Sequence, residues 1–184
     1  KTRWTFTETT EQLMKRLQRG ERLYLPTNDP IEFEQKDLPI DPYVLGVLIG
    51  DGCLTESAWR STKKVLISNA EEDVVMMFAE RLNASRVVSG RTNFNRYVHT
   101  DQASELHNIL ATMGLCTYSY NKFIPHEYLF SSIEQRKELL AGLFDTDGCV
   151  DDGSFRFTTT SERLRDDVLH LVRSLGYNAT WTKD

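Results

Sequence analysis

The feature that most constrains the fold is a nine-residue phrase that occurs twice along the chain. The first copy, VLGVLIGDG, covers residues 44–52, and the second copy, LAGLFDTDG, covers residues 140–148. Each copy ends an apolar stretch with Asp-Gly. A phrase repeated across most of a small domain predicts two similar structural halves, and it puts the carboxylates of Asp51 and Asp147 in equivalent positions.

Small residues recur four positions apart within each copy. They are Gly46 and Gly50 in the first phrase, and Gly142 and Thr146 in the second. A glycine in a helix interior costs about 1 kcal/mol relative to alanine, and the close approach of two backbones compensates for that cost. We therefore expect two motif helices that pack side by side at the centre of the molecule.

This packing would bring two carboxylates together at helix C-termini. The position is electrostatically unfavourable, because a helix C-terminus carries partial negative charge. A divalent cation such as Mg²⁺ would relieve the repulsion, and carboxylates and main-chain carbonyls are ligands of hard cations. A single Asp-Gly pair more often marks a turn, but two copies in matched contexts favour a metal site that hydrolyses phosphodiester bonds.

Signals for helices and strands surround both phrases in a similar order. Helices are predicted over residues 10–19, 42–51 and 102–113, and three more are expected to begin near the capping residues Asn69, Ser131 and Thr159, each with a glutamate three residues on. Strands are predicted over residues 64–68, 86–88, 96–100 and 153–160. The second half then stops at residues 179–181, where a further strand would begin.

The first 39 residues look unlike the rest of the chain. Residues 25–30 include two prolines and cannot continue a helix, so residues 1–39 are interpreted as an N-terminal arm or as a linker from a neighbouring domain. The repeat divides the remainder into a first half over residues 40–130 and a second, truncated half over residues 131–184.

Charge is distributed unevenly along the sequence. The formal net charge of −5 argues against a protein that binds nucleic acid through bulk charge. Residues 55–68 and 85–98, which include the predicted strands of the first half, nevertheless carry six basic side chains and one acidic side chain. The basic charge is therefore segregated to the strand regions.

Together these residues resemble the LAGLIDADG homing endonucleases of the single-chain, two-repeat kind. The second phrase differs from the family's namesake only at Phe144 and Thr146, whereas the first is more divergent and has Ile49 where the namesake has its earlier aspartate. The resemblance implies an α+β fold in which αββαββα units repeat about a pseudo-twofold axis, with the motif helices at the centre and the second unit incomplete. It also implies two saddle-shaped antiparallel sheets that lie in the DNA major groove.

The same resemblance implies roles for individual residues. Asp51 and Asp147 match the metal-binding catalytic acids, and the main-chain carbonyls of Gly50 and Thr146 are expected as further ligands of Mg²⁺. Lys122 lies in the segment NKFIP, which resembles the segment that supplies an active-site lysine in intein-encoded members. We expect this lysine to polarise water or to stabilise phosphate charge, and its counterpart in the second half would lie beyond the last residue of the sequence.

DNA-binding residues are expected on the outward faces of the strands. In the strand over residues 153–160, Phe155 and Phe157 should face the helices, which leaves Arg156 and Thr158 for DNA. The first-half candidates are the basic residues Arg60, Lys63, Lys64, Arg91 and Arg96. The expected partner is double-stranded DNA, bound by a monomer with internal pseudo-symmetry.

The expected function is that of a Mg²⁺-dependent, site-specific endonuclease that cuts both strands of a long DNA target. Two alternatives stay open: a non-cleaving nucleic-acid-binding module of the same fold, such as a maturase or a regulator, and the endonuclease insert of a protein-splicing intein. We predict no protein splicing by this chain alone. The sequence has no apolar run long enough for a membrane span and no secretory segment, and its three cysteines favour a reducing, intracellular location, expected to be cytoplasmic.

Overall fold

The structure is a computed structural model that describes residues 7–24, 28–55, 63–92 and 94–183. The α-helices in these residues are α1 (Thr10–Gln18), α2 (Pro42–Asp51), α3 (Glu72–Arg81), α4 (Ala103–Thr112), α5 (His126–Leu129), α6 (Ile133–Asp147) and α7 (Glu162–Ser174). The strands are β1 (Lys64–Ser68), β2 (Arg86–Ser89), β3 (Asn95–His99), β4 (Gly148–Asp151) and β5 (Ser154–Phe157). This mixture of helices and antiparallel strands confirms the predicted α+β class, and the two motif helices are α2 and α6.

Helices α2 and α6 lie side by side, as the small residues of both phrases predict. Every residue of α2 from Tyr43 to Ile49 is buried. A Cβ added at Gly46 would lie 2.5 Å from the carbonyl oxygen of Leu139 on α6, and a Cβ added at Gly142 would collide with the carbonyl oxygen of Tyr43 on α2. The two backbones are therefore in direct contact, which only glycine permits at these two positions.

The first half packs a three-stranded antiparallel sheet, in the order β1–β3–β2, against α2. Val65 of β1 pairs with Val98 of β3, and both side chains are buried in the core. Gly52, the residue after α2, forms a bridge with Ile67 of β1. The chain that leaves the motif helix thus pairs at once with the sheet, which fixes the end of the helix relative to the strands.

The second half carries a shorter hairpin, formed by β4 and β5. The sequence pattern does not predict β4, because the four residues GCVD lack the alternation that marks β5. Phe155 and Phe157 lie on the same face of the hairpin, and the centre of each ring is 5.9 Å from that of Phe144 on α6. Both rings contact α6 as predicted, but only Phe157 packs against the core, whereas Phe155 is 76% exposed.

Two helix N-caps lie one or two residues later than predicted. Helix α6 begins with a capping box made by Ser132 and Gln135, while the hydroxyl of the predicted cap, Ser131, donates to a carbonyl of the preceding turn. Helix α7 is capped by the hydroxyl of Ser161. The predicted cap, Thr159, instead accepts a hydrogen bond from the N–H of Ser161, so it shapes the turn before the helix.

Two further local predictions are wrong. Glu71, not Asn69, is the N-cap residue of α3, and no described side chain caps this helix, because the side chain of Asn69 is engaged elsewhere. Residues 179–181 form no strand. At that point the carbonyl oxygen of Ala179 accepts two hydrogen bonds from the guanidinium of Arg173, which holds the chain against the end of α7.

The segment before α2 is attached to the second half by a buried arginine. Arg136 of α6 is fully buried, and its guanidinium donates to the carbonyl oxygens of Ile31 and Ser174. The same guanidinium lies 4.9 Å from the centre of the Phe33 ring. The extended chain around Ile31 and Phe33 is therefore packed where α6 and α7 meet.

Helix α1 differs from this segment. It begins with a capping box made by Thr9 and Gln12, and none of its residues is buried. Neither α1 nor any other described helix is long and apolar enough to cross a membrane.

Candidate active site between the motif helices

The two motif helices end at the same place, and each ends on an aspartate. Helix α2 ends at Asp51 and α6 at Asp147, and the following glycine is extended in both cases. Gly46 contacts α6 in its middle, and Gly50 lies against Thr146 one turn later, so the helices run in the same direction. Both carboxylates therefore lie at one end of the contact between the helices.

Both carboxylates are partly withdrawn from water. Burial raises the pKa of Asp51, although hydrogen bonding from Asn69 and the charge of Lys122 oppose the shift. Burial also raises the pKa of Asp147, and the negative charge of Asp51 raises it further. Two neighbouring carboxyl groups whose ionised forms are both disfavoured are typical of functional sites, because a bound cation or substrate can restore their charge.

Lys122 supplies positive charge at the same place. Its side chain is 6% exposed, and its ammonium donates to the carbonyl oxygens of Gly50 at 2.9 Å and Gly52 at 3.1 Å. An ammonium at the C-terminus of α2 interacts favourably with the helix dipole. Burial lowers the pKa of Lys122, and the charges of Asp147 and Asp51 counter that shift. The lysine and each aspartate therefore favour each other's ionised forms, whereas the two aspartates disfavour each other's.

The second half positions this lysine. Lys122 follows a 3₁₀ turn over Ser119–Asn121, and its own carbonyl oxygen accepts a hydrogen bond of 2.7 Å from the hydroxyl of Ser161. Nearby, the N–H of Ile124 donates to the carboxylate of Asp167 at 2.9 Å. Ser161 is the N-cap residue of α7 and Asp167 lies within that helix, so α7 anchors the segment whose lysine reaches the end of α2.

Asn69 is a residue of this cluster that the sequence patterns do not reveal. It follows β1 and is 6% exposed, and its amide nitrogen donates to Asp51 Oδ2 at 2.6 Å and to the carbonyl oxygen of Asp145 at 3.4 Å. Its side-chain oxygen accepts from the N–H of Glu71 at 2.7 Å. The available signal is a polar residue directly after an alternating strand. Because asparagine before a helix also indicates a cap, the sequence does not distinguish a site residue from a capping residue here.

A divalent cation fits this set of donors. Two carboxylates and one ammonium leave an excess of negative charge, and carboxylate and carbonyl oxygens suit a hard ion such as Mg²⁺. Across the described residues there is no group of three or more His, Cys, Asp or Glu side chains that could hold a metal ion. Main-chain oxygens and water would therefore complete the coordination.

The two predicted carbonyl ligands differ in their surroundings. The carbonyl oxygen of Gly50 already accepts from Lys122, so a metal would have to use its second lone pair. The hydroxyl of Thr146 donates to the carbonyl oxygens of Gly142 and Leu143 within α6. The hydroxyl hydrogen of Thr146 is thus directed into α6, and the main-chain carbonyl oxygen of Thr146 remains the predicted ligand.

The earlier aspartate of the second phrase lies outside this cluster. Asp145 Oδ2 accepts a hydrogen bond of 2.8 Å from the hydroxyl of Tyr43 on α2, and the guanidinium of Arg81 lies 5.3 Å from the centre of the Tyr43 ring. Burial and the bond to Asp145 raise the pKa of Tyr43 above its ordinary range. The corresponding residue of the first phrase, Ile49, is buried, so this aspartate makes a contact between the helices that the first copy lacks.

The register of the first sheet places the candidate DNA-binding residues Lys64 and Arg96 on opposite faces. Lys64 lies opposite His99 on the face away from the helices, and its ammonium is 4.2 Å from the centre of the Tyr97 ring. Arg96 pairs with the buried residue Ile67, so its side chain leaves the strand on the helix-facing side and is half-buried. The outer face of this sheet therefore includes Lys64 and not Arg96.

The other basic candidates are exposed wherever the structure describes them. Lys63 and Arg91 lie in the turns at the ends of the sheet, whereas Arg60 lies outside the described residues. Arg86, which the candidate set omits, pairs with His99 on the outer face and is exposed. Strand register, which the sequence patterns do not give, is the signal that would have found it.

The second hairpin presents its polar candidates to solvent. Arg156 pairs with Cys149 on the face opposite to Phe155, and its guanidinium forms an ion pair of 2.7 Å with Asp151. Thr158, which follows β5, is also exposed. Both side chains are on the face predicted for them.

A comparison with protein families identifies a LAGLIDADG-like domain over residues 134–184. This range begins in the first turn of α6 and includes Asp147, the β4–β5 hairpin and α7. A domain of this class is therefore present in the second half of the chain, where the second phrase lies closest to the family's namesake.

Two curated proteins are similar to a larger part of the chain. The replicative DNA helicase DnaB of Mycobacterium intracellulare is 35% identical over 148 residues, which are 80% of this chain and 21% of that protein. The replicative DNA helicase DnaB of Synechocystis sp. is 32% identical over 160 residues, which are 76% of this chain and 18% of that protein. The chain thus spans about a fifth of the length of these relatives.

Proposed function

We propose that this chain is a site-specific endonuclease that hydrolyses phosphodiester bonds in both strands of DNA with a divalent metal such as Mg²⁺. The observation that carries the proposal is the convergence of Asp51 and Asp147 with the buried ammonium of Lys122 at one end of the helix pair. The LAGLIDADG-like domain over residues 134–184 supports it.

The residues of the cluster divide the chemistry between them. Asp51, Asp147 and main-chain carbonyl oxygens would hold the metal, which when bound activates water and stabilises the leaving oxygen. Lys122 uses two of its three N–H donors on carbonyl oxygens and can direct the third to a phosphate oxygen. Each cut consumes one water: its oxygen bonds to phosphorus, one P–O ester bond breaks, and the released sugar oxygen takes up a proton.

The outward faces of the two sheets are proposed to bind the DNA. Lys64 and Arg86 lie on that face in the first half, and Arg156 and Thr158 lie on it in the second. Arginine can read guanine edges in the major groove, and lysine and threonine contact bases or phosphates. These faces flank the candidate active site, because Gly52, which follows Asp51, bridges to β1, and β4 begins at Gly148, directly after Asp147.

We further propose that the chain is the endonuclease part of an intein inserted in a DnaB helicase. The two similar helicases match it over only about a fifth of their length, and the chain itself contains a domain of a different class. Incubation with a randomised DNA library and Mg²⁺, followed by sequencing of the cut ends, tests this origin. The recovered site should resemble the coding sequence of a DnaB helicase, and an unrelated site would contradict the insertion.

The endonuclease proposal is tested by replacing each aspartate separately. Asp51→Asn and Asp147→Asn should each slow cleavage of the recovered site about a hundredfold or more, because the metal loses a charged ligand, while DNA affinity is retained. Asp37→Asn, on an exposed aspartate, is the matched control and should cut normally. A fully active Asp147→Asn variant would end the proposal, and an unaltered chain that binds the site without cutting it would support the non-cleaving alternative.

A further inference from the structure

The two halves of the candidate active site differ at one pair of equivalent positions. Asn69 lies two residues after Ile67, and Thr159 lies two residues after Phe157. Ile67 and Phe157 are the strand residues that pair with the glycine at the end of each phrase. Both Asn69 and Thr159 accept a hydrogen bond from the main-chain N–H two residues further on, so the same turn is built twice.

Only the asparagine reaches a motif aspartate. Its amide nitrogen donates to Asp51 Oδ2 at 2.6 Å, while its oxygen stays in the turn. Thr159 has a shorter side chain with no amide nitrogen; its hydroxyl oxygen accepts in the turn, and its O–H makes no hydrogen bond to Asp147. Among the residues that the structure describes, no hydrogen-bond donor contacts the carboxylate of Asp147, so one acid of the pair is fixed by a neighbour and the other is not.

Asn69 also connects the two halves directly. The same amide nitrogen lies 3.4 Å from the carbonyl oxygen of Asp145 on α6, so the side chain spans from the first half to the second motif helix. Because Asn69 is almost fully buried, water does not compete for these bonds, and the position of the Asp51 carboxylate is set by both helices together.

We propose that Asn69 is a positioning residue that fixes the Asp51 carboxylate and thereby makes the two DNA strands unequal substrates. The inference rests on the proposed function. A carboxylate that is already held in one conformer loses less freedom when metal and phosphate bind than one that must be ordered at that moment. The strand whose scissile phosphate lies at Asp51 is then cut faster than the strand at Asp147, and a nicked duplex precedes the double-strand break.

The rate on each strand measures this directly. A duplex that carries the recovered site, with a different fluorophore on each 5′ end, reports nicking of both strands in one reaction with Mg²⁺. Asn69→Thr gives the first half the residue of the second, and it should slow the faster strand about tenfold, the effect expected for one hydrogen bond to a charged group. The slower strand should keep its rate within about twofold, so the strand ratio falls toward one.

A second variant, which gives the second half the residue of the first, distinguishes the positioning effect from damage to the fold. Thr159→Asn places an amide beside Asp147 and should speed the slower strand, which a general loss of structure could not do. A second readout needs neither metal nor DNA: the side-chain amide of Asn69, assigned by its loss in Asn69→Thr, should shift in the NMR spectrum of Asp51→Asn and stay in place in Asp147→Asn.

The outcomes separate the inference from the proposed function. The positioning role would be overturned if Asn69→Thr slowed both strands equally or left the ratio of their rates unchanged. It would also be overturned if the NMR signal of the Asn69 amide did not shift in Asp51→Asn. Each of these results would leave the proposed endonuclease activity in place. Failure of the unaltered chain to cut either strand would overturn the proposed function and this inference with it.

Discussion

At the scale of single residues, the cluster at the end of the helix pair places three ionisable side chains in surroundings that disfavour their charged forms. Burial disfavours the ionised forms of Asp51, Asp147 and Lys122 alike, and both carboxylates lie at negatively charged helix ends. Lys122 compensates part of this cost through the carbonyl oxygens of Gly50 and Gly52. Without a bound cation, ionisation of these buried groups therefore lowers the stability of the fold. This should be measurable as a dependence of the free energy of unfolding on pH.

Asp147→Asn should stabilise the metal-free protein at neutral pH. Because burial and Asp51 raise the folded-state pKa of Asp147, its contribution to stability is present at low pH, where the group is protonated, and is lost as pH rises through that pKa. An asparagine at position 147 does not ionise, so the variant does not lose this stability as the pH rises. At pH 7.5 with a chelator, the Tm of the variant should exceed that of the unaltered chain by about 2–4 °C, the shift that about 1 kcal/mol gives a chain of this size.

The same comparison at low pH supplies its control. As the pH falls toward about 3.5, the carboxyl group becomes mostly protonated in both the folded and the unfolded state, and the two Tm values should approach each other. Asp37→Asn removes an exposed carboxylate and should leave the Tm unchanged at both pH values. A lower Tm for Asp147→Asn at pH 7.5 would contradict the assigned effect of burial.

Some of these residues could be found from sequence and others could not, for physical reasons. Asp51 and Asp147 stand out because the chain repeats them in matched contexts. Asn69 does not, because its contact with Asp51 depends on a turn that brings residues 18 positions apart together. Arg96 was expected to face outward, but strand register decides the face of a side chain, and the sequence does not determine the register.

At the scale of secondary-structure elements, the contact between α2 and α6 sets the geometry of the site. A helix pair separated only by glycines holds its ends at a fixed distance, because neither backbone can shift without moving the other. The carbonyl oxygens of Leu139 and Tyr43 are the atoms that a side chain at Gly46 or Gly142 would strike. Substitutions here should therefore affect stability and cleavage together.

Gly142→Ala should destabilise the fold, although alanine is the better helix former by about 1 kcal/mol. Its Cβ would meet main-chain atoms of Tyr43 and Val47, which are in a buried helix and cannot move as a flexible side chain would. Forced separation of a packed contact costs about 1–3 kcal/mol, and urea denaturation should show a net loss in that range. Ala141→Ser, on the exposed side of the same helix, is the control, and a Gly142→Ala variant as stable as the unaltered chain would exclude direct backbone contact.

The elements themselves follow from the sequence more readily than their ends. The motif helices, α4 and the first-half strands follow from the sequence to within one or two residues, because capping residues, glycine stops and runs of apolar residues mark them locally. The caps of α6 and α7 were misplaced because several serines and threonines precede each helix, and only tertiary contacts decide which hydroxyl is used. Strand β4 is too short for its pattern to be visible, and it exists because β5 pairs with it.

At the scale of the whole molecule, the chain combines unequal halves. A three-stranded sheet covers the first motif helix, whereas a two-stranded hairpin follows the second, and Lys122 reaches α2 from a segment anchored on α7. The extended segment before α2 is also attached to the second half. Arg136 holds Ile31, and the side chain of Gln135 donates to and accepts from the main chain of Lys36, so this segment is packed against the second half of the chain.

Truncation distinguishes a packed segment from a linker. A chain that begins at residue 28 loses α1, which has no buried residue, and its free energy of unfolding should match that of the full chain. A chain that begins at residue 40 removes one partner of the buried Arg136 guanidinium, the carbonyl oxygen of Ile31, while the bonds to Ser131 and Ser174 stay. Because a buried donor left without its acceptor costs about 1–3 kcal/mol, this chain should be less stable by about that amount. Urea denaturation of the three chains measures both differences. Equal stability of the chains that begin at residues 28 and 40 would show that Arg136 finds another partner and that residues 28–39 act only as a linker.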